Sequence, residues 1–308
     1  MSNQLIDPFG REVNYLRVSV TDRCDFRCTY CMSENMTFLP KKDILSLEEL
    51  EIICNVFIKL GTKKIRLTGG EPLVRKGILN LIKNLGKKIG NGLEELTLTT
   101  NGSQLQKYAE FLKENGVNRV NVSLDHLDSS KFREITRWGN LDIVLAGIEK
   151  AKSVGIKVKI NTVALKDFNE KNIIEMIEWC SLNEYDMTLI EVMPMGDIGS
   201  ENRFNQYLPL SEVKEKISKK YNLINIPKKT GGPARYYKIE GKKIDLGFIT
   251  PLTHNFCESC NRVRLTCTGI LFMCLGQDDN VDLKNILKNK GSSFLEDGLF
   301  KAISRKPK

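Results

Sequence analysis

Histidine is nearly absent from this chain: His126 and His254 are the only imidazoles in 308 residues, and there are only two tryptophans. Two histidines exclude an HExxH zinc site and any acid–base scheme that relies on repeated imidazoles. No apolar run approaches the roughly 20 residues of a membrane span. The first ten residues carry Asp7 and Pro8 and lack a basic segment followed by an apolar core, so no secretory signal is read and a cytoplasmic location is expected. In that reducing compartment, clustered cysteines point to metal ligation or catalysis in preference to disulfides, and the odd count of nine agrees. What is present is ordinary for a globular protein, with 41% hydrophobic and 28% charged residues. The length suits two domains or one large α/β barrel with an appendage.

Positive charge is the next feature. Lys and Arg number 47 against 38 Asp and Glu, a formal charge of +9. Such an excess suits a polyanion, nucleic acid included, because cations neutralise phosphates and release counterions. Most of the lysines, such as Lys83, Lys87 and Lys88, fall on polar helix faces and read as solvated surface. The arginines say more, since a planar guanidinium grips phosphate with two parallel hydrogen bonds.

From Asn14 to Met193 short β-branched runs alternate with helical patterns. The runs are Leu16–Val20, Lys64–Leu67, Leu96–Thr99, Val120–Leu124, Val158–Val163 and Leu189–Val192. Helical apolar spacing fills Ser46–Leu60, Lys76–Ile89, Leu105–Asn115, Leu141–Val154 and Asn169–Ser181, and Ser46 with Glu49 forms a capping box. Six βα units predict a parallel sheet, an incomplete (βα)6 TIM-type barrel over residues 1–200. Pro194, Gly196 and Gly199 mark a linker. Residues 201–308 read as an α+β extension that closes the barrel: one charged helix (Leu210–Lys220), hairpin turns near Gly231–Gly232 and Glu240–Gly241, a cysteine loop (Thr253–Asn261) and two terminal helices. Loops after the barrel strands share one face, where ligands bind, and here they carry the cysteines, Gly69-Gly70-Glu71-Pro72, Thr99-Thr100-Asn101-Gly102 and Asp125.

Cys24, Cys28 and Cys31 place three thiols within eight residues just after the first strand. Three soft thiolates suit an iron–sulfur cluster or zinc. On a four-iron cluster they leave one iron open. The CxxxCxxC spacing, Tyr30 before the last cysteine and the Gly-Gly-Glu-Pro element together resemble the radical S-adenosylmethionine superfamily. The resemblance implies a 4Fe–4S cluster on Cys24, Cys28 and Cys31, whose open iron chelates the amine and carboxylate of S-adenosylmethionine. One electron then splits the sulfonium into methionine and a 5′-deoxyadenosyl radical. It also places Tyr30, Gly70, Ser123 and Met193 at the S-adenosylmethionine pocket.

A second group follows far downstream: Cys257, Cys260 and, thirteen residues on, Cys274. The span Phe256–Leu265, the opening Phe9–Cys24, Lys64–Leu73 and Gly247–Thr250 resemble the GTP 3′,8-cyclase family of molybdenum cofactor biosynthesis, over nearly the whole chain. That resemblance implies a lyase with a second 4Fe–4S cluster on Cys257, Cys260 and Cys274, whose open iron holds the guanine of GTP. The triphosphate is then gripped by Arg17, Arg66, Thr99, Lys159, Arg262 and Arg264, with Lys64 a further candidate. Loss of the ribose 3′ hydrogen, attack on guanine C8 and reduction yield 3′,8-cyclo-7,8-dihydro-GTP. An external electron donor and a downstream cyclic pyranopterin monophosphate synthase are the implied partners, and a homodimer is left open.

Two features depart from the family pattern. The chain stops at Ser304-Arg305-Lys306-Pro307-Lys308 without the Gly-Gly tail common in the family, which puts full activity in question. Cys267, in an apparent strand between Cys260 and Cys274, offers a fourth ligand and hence a closed site. Cys54 and Cys180, inside helical patterns, read as core thiols. The rival readings are a radical enzyme acting on a peptide or another nucleotide, and an iron–sulfur or zinc protein that binds RNA.

Overall fold

The computed structural model describes residues 4–193, 205–228, 230–251, 258, 260–274 and 277–307. Its first half is built from six parallel strands that pair in chain order: β1 (Tyr15–Ser19), β2 (Lys64–Thr68), β3 (Glu95–Thr100), β4 (Arg119–Ser123), β5 (Lys157–Ala164) and β6 (Asp186–Glu191). Between them run α1 (Leu47–Lys59), α2 (Ile78–Gly86), α3 (Leu105–Glu114), α4 (Ser129–Thr136), α5 (Leu141–Ser153) and α6 (Ile173–Leu182). The capping box at α1 forms as expected: Glu49 N donates to Ser46 Oγ at 3.1 Å and Ser46 N to Glu49 Oε2 at 2.7 Å. Helix α4, absent from the sequence reading, starts where the Asp128 carboxylate accepts from Lys131 N at 2.8 Å.

Strand side chains alternate between two environments, as a pleated strand requires. Leu16, Val18, Ile65, Leu67, Leu96, Leu98, Val120 and Val122 are buried in one apolar cluster with the helices. Burying each such side chain contributes on the order of 2 kcal/mol. Their neighbours Arg17, Arg66, Thr99, Asn121 and Ser123 face the inside of the curved sheet and line a cavity there. An apolar outside and a polar inside leave little freedom for a register slip, because one residue of shift would bury the charged set under helices.

The second half begins with α7 (Leu210–Ser218) and continues through β7 (Leu223–Ile226), β8 (Arg235–Ile239), β9 (Asp245–Ile249), β10 (Arg262–Leu265), β11 (Ile270–Phe272) and β12 (Asn280–Asp282). It ends in α8 (Leu283–Lys290) and α9 (Leu295–Ile303). It does not close the barrel by hydrogen bonding. The sheet is open, with strand order β12-β11-β10-β1-β2-β3-β4-β5-β6-β9-β8-β7. β9 adds parallel to β6, and β10 adds parallel to β1 at the opposite edge. The parallel part therefore has eight strands, two more than the sequence pattern indicated. Antiparallel hairpins at both ends then stop the parallel ladder from continuing. The two edges meet across the interior through side chains: Tyr236 and Ile249 from one end and Arg262 and Arg264 from the other line the same cavity.

Cys267 lies in the turn between β10 and β11, not in a strand. The turn is made by Gly269 at φ 92° and by Thr266 Oγ1, which accepts from Ile270 N at 3.0 Å. Cys54 and Cys180 are fully buried in α1 and α6. No helix among the described residues is long and apolar enough to cross a membrane.

Candidate functional site

The loop after β1 carries Cys24, Cys28 and Cys31, and it is fastened to three neighbouring loops. Arg27 donates to the Cys24 and Phe26 carbonyls at 2.6 and 2.8 Å, and its guanidinium stacks 4.3 Å from the Trp138 ring. Backbone bonds from Arg27 N to Thr136 O and from Thr29 N to Ile135 O hold it to the end of α4. Asp25 accepts from Asn101 Nδ2 at 2.7 Å and from Ser103 Oγ at 2.6 Å, which ties it to the loop after β3. Tyr30 is a strut: its hydroxyl donates to Asp125 Oδ2 at 2.7 Å, while Asp125 Oδ1 accepts from Val163 N at 2.8 Å. Burial pushes the Asp125 carboxyl up to about 6 against those two hydrogen bonds.

The three thiols lie close enough to raise one another's pKa. Burial first, then the Asp25 and Glu71 carboxylates and Cys31, push Cys24 up to about 12. Burial, Asp125 and the other two cysteines hold Cys28 well above the usual thiol range. Cys24 Sγ accepts from Phe26 N at 3.4 Å and from Asn101 Nδ2 at 3.8 Å. Among the described residues no three metal-binding side chains converge on a single point. A four-iron cluster takes its thiolates at three separate corners, and three neighbouring soft sulfurs on one loop suit it.

Gly69-Gly70-Glu71-Pro72, after β2, runs against the start of the cysteine loop. Gly70 N donates to Thr21 O at 2.9 Å and Glu71 N to Arg23 O at 2.8 Å. A Cβ on Gly69 would stand 2.6 Å from Thr21 O, and one on Gly70 would overlap the Arg23 carbonyl, so neither position tolerates a side chain. Glu71, 0% exposed, clamps the next loop: it accepts from Leu73 N at 3.0 Å, Thr100 Oγ1 at 2.8 Å and Asn101 N at 2.6 Å. Burial lifts its carboxyl to about 7 in spite of these donors.

Below the cysteine loop lies a cavity of about 230 Å³. All six residues expected to grip a triphosphate, Arg17, Arg66, Thr99, Lys159, Arg262 and Arg264, line it, and so do Ser123 and Met193. Tyr30, Gly70 and the first three cysteines stand outside that lining. Sheet register explains the grouping: Arg264, Arg17 and Arg66 are consecutive partners across β10, β1 and β2, and Tyr15 on β1 is paired with Arg262 and Lys64. Burial, then the Arg264 charge, pull Arg17 down to about 9. Burial, then Arg262, pull Arg264 down to about 10. Burial likewise lowers Arg66, and burial followed by Arg119 and Arg66 lowers Lys159 to about 7. Arg66 Nε and Thr99 Oγ1 are buried without a hydrogen-bond partner. A set of mutually repelling, partly orphaned donors is stable only because the rest of the fold imposes it, and a polyanion would satisfy it.

Lys64 sits lower, paired with Glu95 at 2.5 Å and donating to Thr230 O at 3.0 Å. It faces a wider vestibule of about 850 Å³ at the strand N-termini, which shares Tyr15, Arg119, Lys159 and Thr230 with the upper cavity. Tyr15, Asn121 and Asn161 were overlooked in the sequence, although each lies two residues from a residue already singled out on its strand, and so was Arg119, four residues before Ser123. Tyr236 and Thr230 gave no such sign. Lys159 donates to Tyr236 Oη, which pairs with Thr230 Oγ1 at 3.0 Å.

Of the second cysteine group, Cys257 lies outside the described residues. Cys260 and Cys274 flank the β10–β11 pair, and both act on the charge of Arg264. Cys267 turns elsewhere, toward Ser19, Asp22 and Arg75, so the chain does not offer it as a fourth ligand beside them.

Two family models match the chain: the radical SAM superfamily over residues 18–180 and the Molybdenum Cofactor Synthesis C family over 185–308. A Rhizobium etli protein named GTP 3′,8-cyclase is 60% identical over 305 residues, 99% of this chain and 87% of its own length. A Brucella ovis protein of the same name is 61% identical over 306 residues, 99% of this chain and 89% of its own. Among solved structures, Streptococcus suis SuiB bound to S-adenosylmethionine superposes with a TM-score of 0.68 at 16% identity, covering 96% of this chain and 69% of that one. At that identity the likeness concerns the fold.

Proposed function

The chain belongs to the GTP 3′,8-cyclase family of radical S-adenosylmethionine enzymes, and we propose how its residues divide that reaction. It is a lyase that converts GTP to 3′,8-cyclo-7,8-dihydro-GTP for molybdenum cofactor biosynthesis, with S-adenosylmethionine and two 4Fe–4S clusters as cofactors. When bound, the cofactors supply a one-electron cleavage of the sulfonium at Cys24, Cys28 and Cys31 and an open iron for guanine at Cys257, Cys260 and Cys274.

The protein's own work is to bind, align and shield. Arg17, Arg66, Arg262, Arg264 and Lys159 take the triphosphate, with forked donors matching phosphate oxygens, and Thr99 supplies the hydroxyl at its side. Ser123, at the C-terminal end of β4, and Met193, just after β6, line the same cavity and are assigned to S-adenosylmethionine. Gly70 lets the backbone approach the Arg23 carbonyl, and Tyr30 fixes the cysteine loop to Asp125. The division into a radical half, residues 1–200, and a C-terminal half, 201–308, places one cysteine group in each. Electrons arrive from an external one-electron donor, and the product passes to a cyclic pyranopterin monophosphate synthase.

One observation carries the substrate assignment: Arg17, Arg66, Arg264 and Lys159 line a single buried cavity and form no ion pair among the described residues. A peptide substrate has no need of such a row of cations. The test is anaerobic incubation with dithionite, S-adenosylmethionine and either GTP or ATP, read by mass spectrometry. A GTP-dependent cyclised product supports the reading. Cleavage of S-adenosylmethionine without it, also in the presence of a Gly-Gly-terminated peptide, contradicts it.

A further inference from the structure

Three residues after α9, Lys306 turns its side chain into the protein, where it is 2% exposed. Its ammonium donates to Met273 O at 3.0 Å and to Cys260 Sγ at 3.7 Å, and no carboxylate pairs with it among the described residues. The segment around it is pinned from three sides: Lys306 N to Ile303 O at 3.0 Å, Arg11 to the Pro307 carbonyl, and Arg305 to Asp279 at 3.2 Å. A buried ammonium facing only a carbonyl and a sulfur is costly, and it becomes compensated when that sulfur is a metal-bound thiolate.

The two cysteine sites differ in the charge around them. At the first, Cys24 has the Asp25 and Glu71 carboxylates as its neighbours, and its hydrogen-bond donors are the neutral Asn101 amide and the Phe26 backbone. At the second, Cys260 has Lys306 and Arg262. Hydrogen bonds to the sulfurs and nearby charge are what tune an iron–sulfur potential, since a cation favours the more negative, reduced cluster.

We propose that Lys306 is a positioning residue for the second cluster: by donating to the Cys260 sulfur it raises that cluster's reduction potential, so that the second site holds an electron more readily than it would without it. The proposal rests on the reading that Cys257, Cys260 and Cys274 hold a 4Fe–4S cluster. It is tested in a chain whose Cys24, Cys28 and Cys31 are replaced by alanine, so that only the second site loads, by potentiometric titration followed by electron paramagnetic resonance. Lys306→Met, with iron loading equal to its parent, is expected to move the midpoint potential to a more negative value, and Lys306→Arg to keep most of the parent potential. If Lys306→Met and Lys306→Gln both fail to load iron while Lys306→Arg loads normally, a cation at that sulfur is again required, which supports the assignment. An unchanged potential in Lys306→Met, or loss of iron in all three variants, overturns it. A parent chain that takes up no iron overturns the cluster reading itself and the proposal with it, a failure distinct from an unchanged potential.

Discussion

Arg17 on β1 and Arg264 on β10 stand side by side as register partners on parallel strands whose positions in the chain are 247 residues apart. Both line the same cavity, both have their proton affinity lowered by burial and by neighbouring arginines, and neither has an ion-pair partner among the described residues. Such a pair opposes folding and favours an incoming anion. Arg17→Met, nearly matched in volume, is therefore expected to leave the thermal midpoint unchanged or higher. The same change should weaken GTP binding by about 2–3 kcal/mol, roughly 30- to 150-fold in Kd. Calorimetry on the variant checks both halves; parallel losses of stability and binding would assign Arg17 to the scaffold.

Lys159 provides the pH dependence. Burial, Arg119 and Arg66 bring its pKa to about 7 from an ordinary 10.5, so the folded protein binds fewer protons than the unfolded chain between those values. Its penalty on stability is complete below pH 7 and fades as pH rises toward 10.5. Lys159→Met should accordingly stabilise the protein most at pH 6.5 and hardly at pH 10, as read from denaturant midpoints. GTP, by contrast, raises this pKa, so binding at pH 8 takes up a proton and weakens with further rise in pH. Heats of binding compared in two buffers of different ionisation enthalpy report that uptake.

Glu71 acts on structure before chemistry. Its carboxylate, on a fully buried residue, holds Leu73 N, Thr100 Oγ1 and Asn101 N. Glu71→Ala should cost about 3 kcal/mol or more, and Glu71→Gln about 1–3, since the amide turns an N–H toward Asn101 N. Urea unfolding distinguishes this from a role confined to ligand binding, which would leave the midpoint in place.

Gly70→Ala places a methyl group against the Arg23 carbonyl. The cysteine loop must then move away from β2, and the expected result is loss of iron at the first site with the second still loaded. Iron analysis and resonance spectra after anaerobic reconstitution decide it; normal occupancy of both sites would show that the contact relaxes without consequence.

The parts that were legible in the sequence were local. Cys24, Cys28 and Cys31 announce themselves by spacing, and Ser46 with Glu49 by capping. Arg66 and Thr99 come from the resemblance to the family, and the fold then accounts for them, since a strand's period of two puts them on the cavity face, opposite Ile65, Leu67 and Leu98. What escaped depended on distant pairing. That β10 adds to β1 while β9 adds to β6 follows from no pattern in either segment, and the open sheet with eight parallel strands follows from it. Tyr236 and Lys306 belong to the site for the same reason: their partners Lys159 and Cys260 lie 77 and 46 residues away. The turn at Cys267 was readable from Thr266 and Gly269, but two β-branched threonines beside it suggested a strand.

The measurement that bears most directly on the account is the affinity of the cluster-loaded protein for GTP against guanosine, in the parent and in Arg17→Met. If the cation-lined cavity holds the triphosphate, the parent prefers GTP by about a hundredfold or more, and the variant loses most of that preference while its affinity for guanosine stays the same. Equal affinity for the two ligands, or a preference untouched by the substitution, would place the triphosphate elsewhere and contradict the assignment.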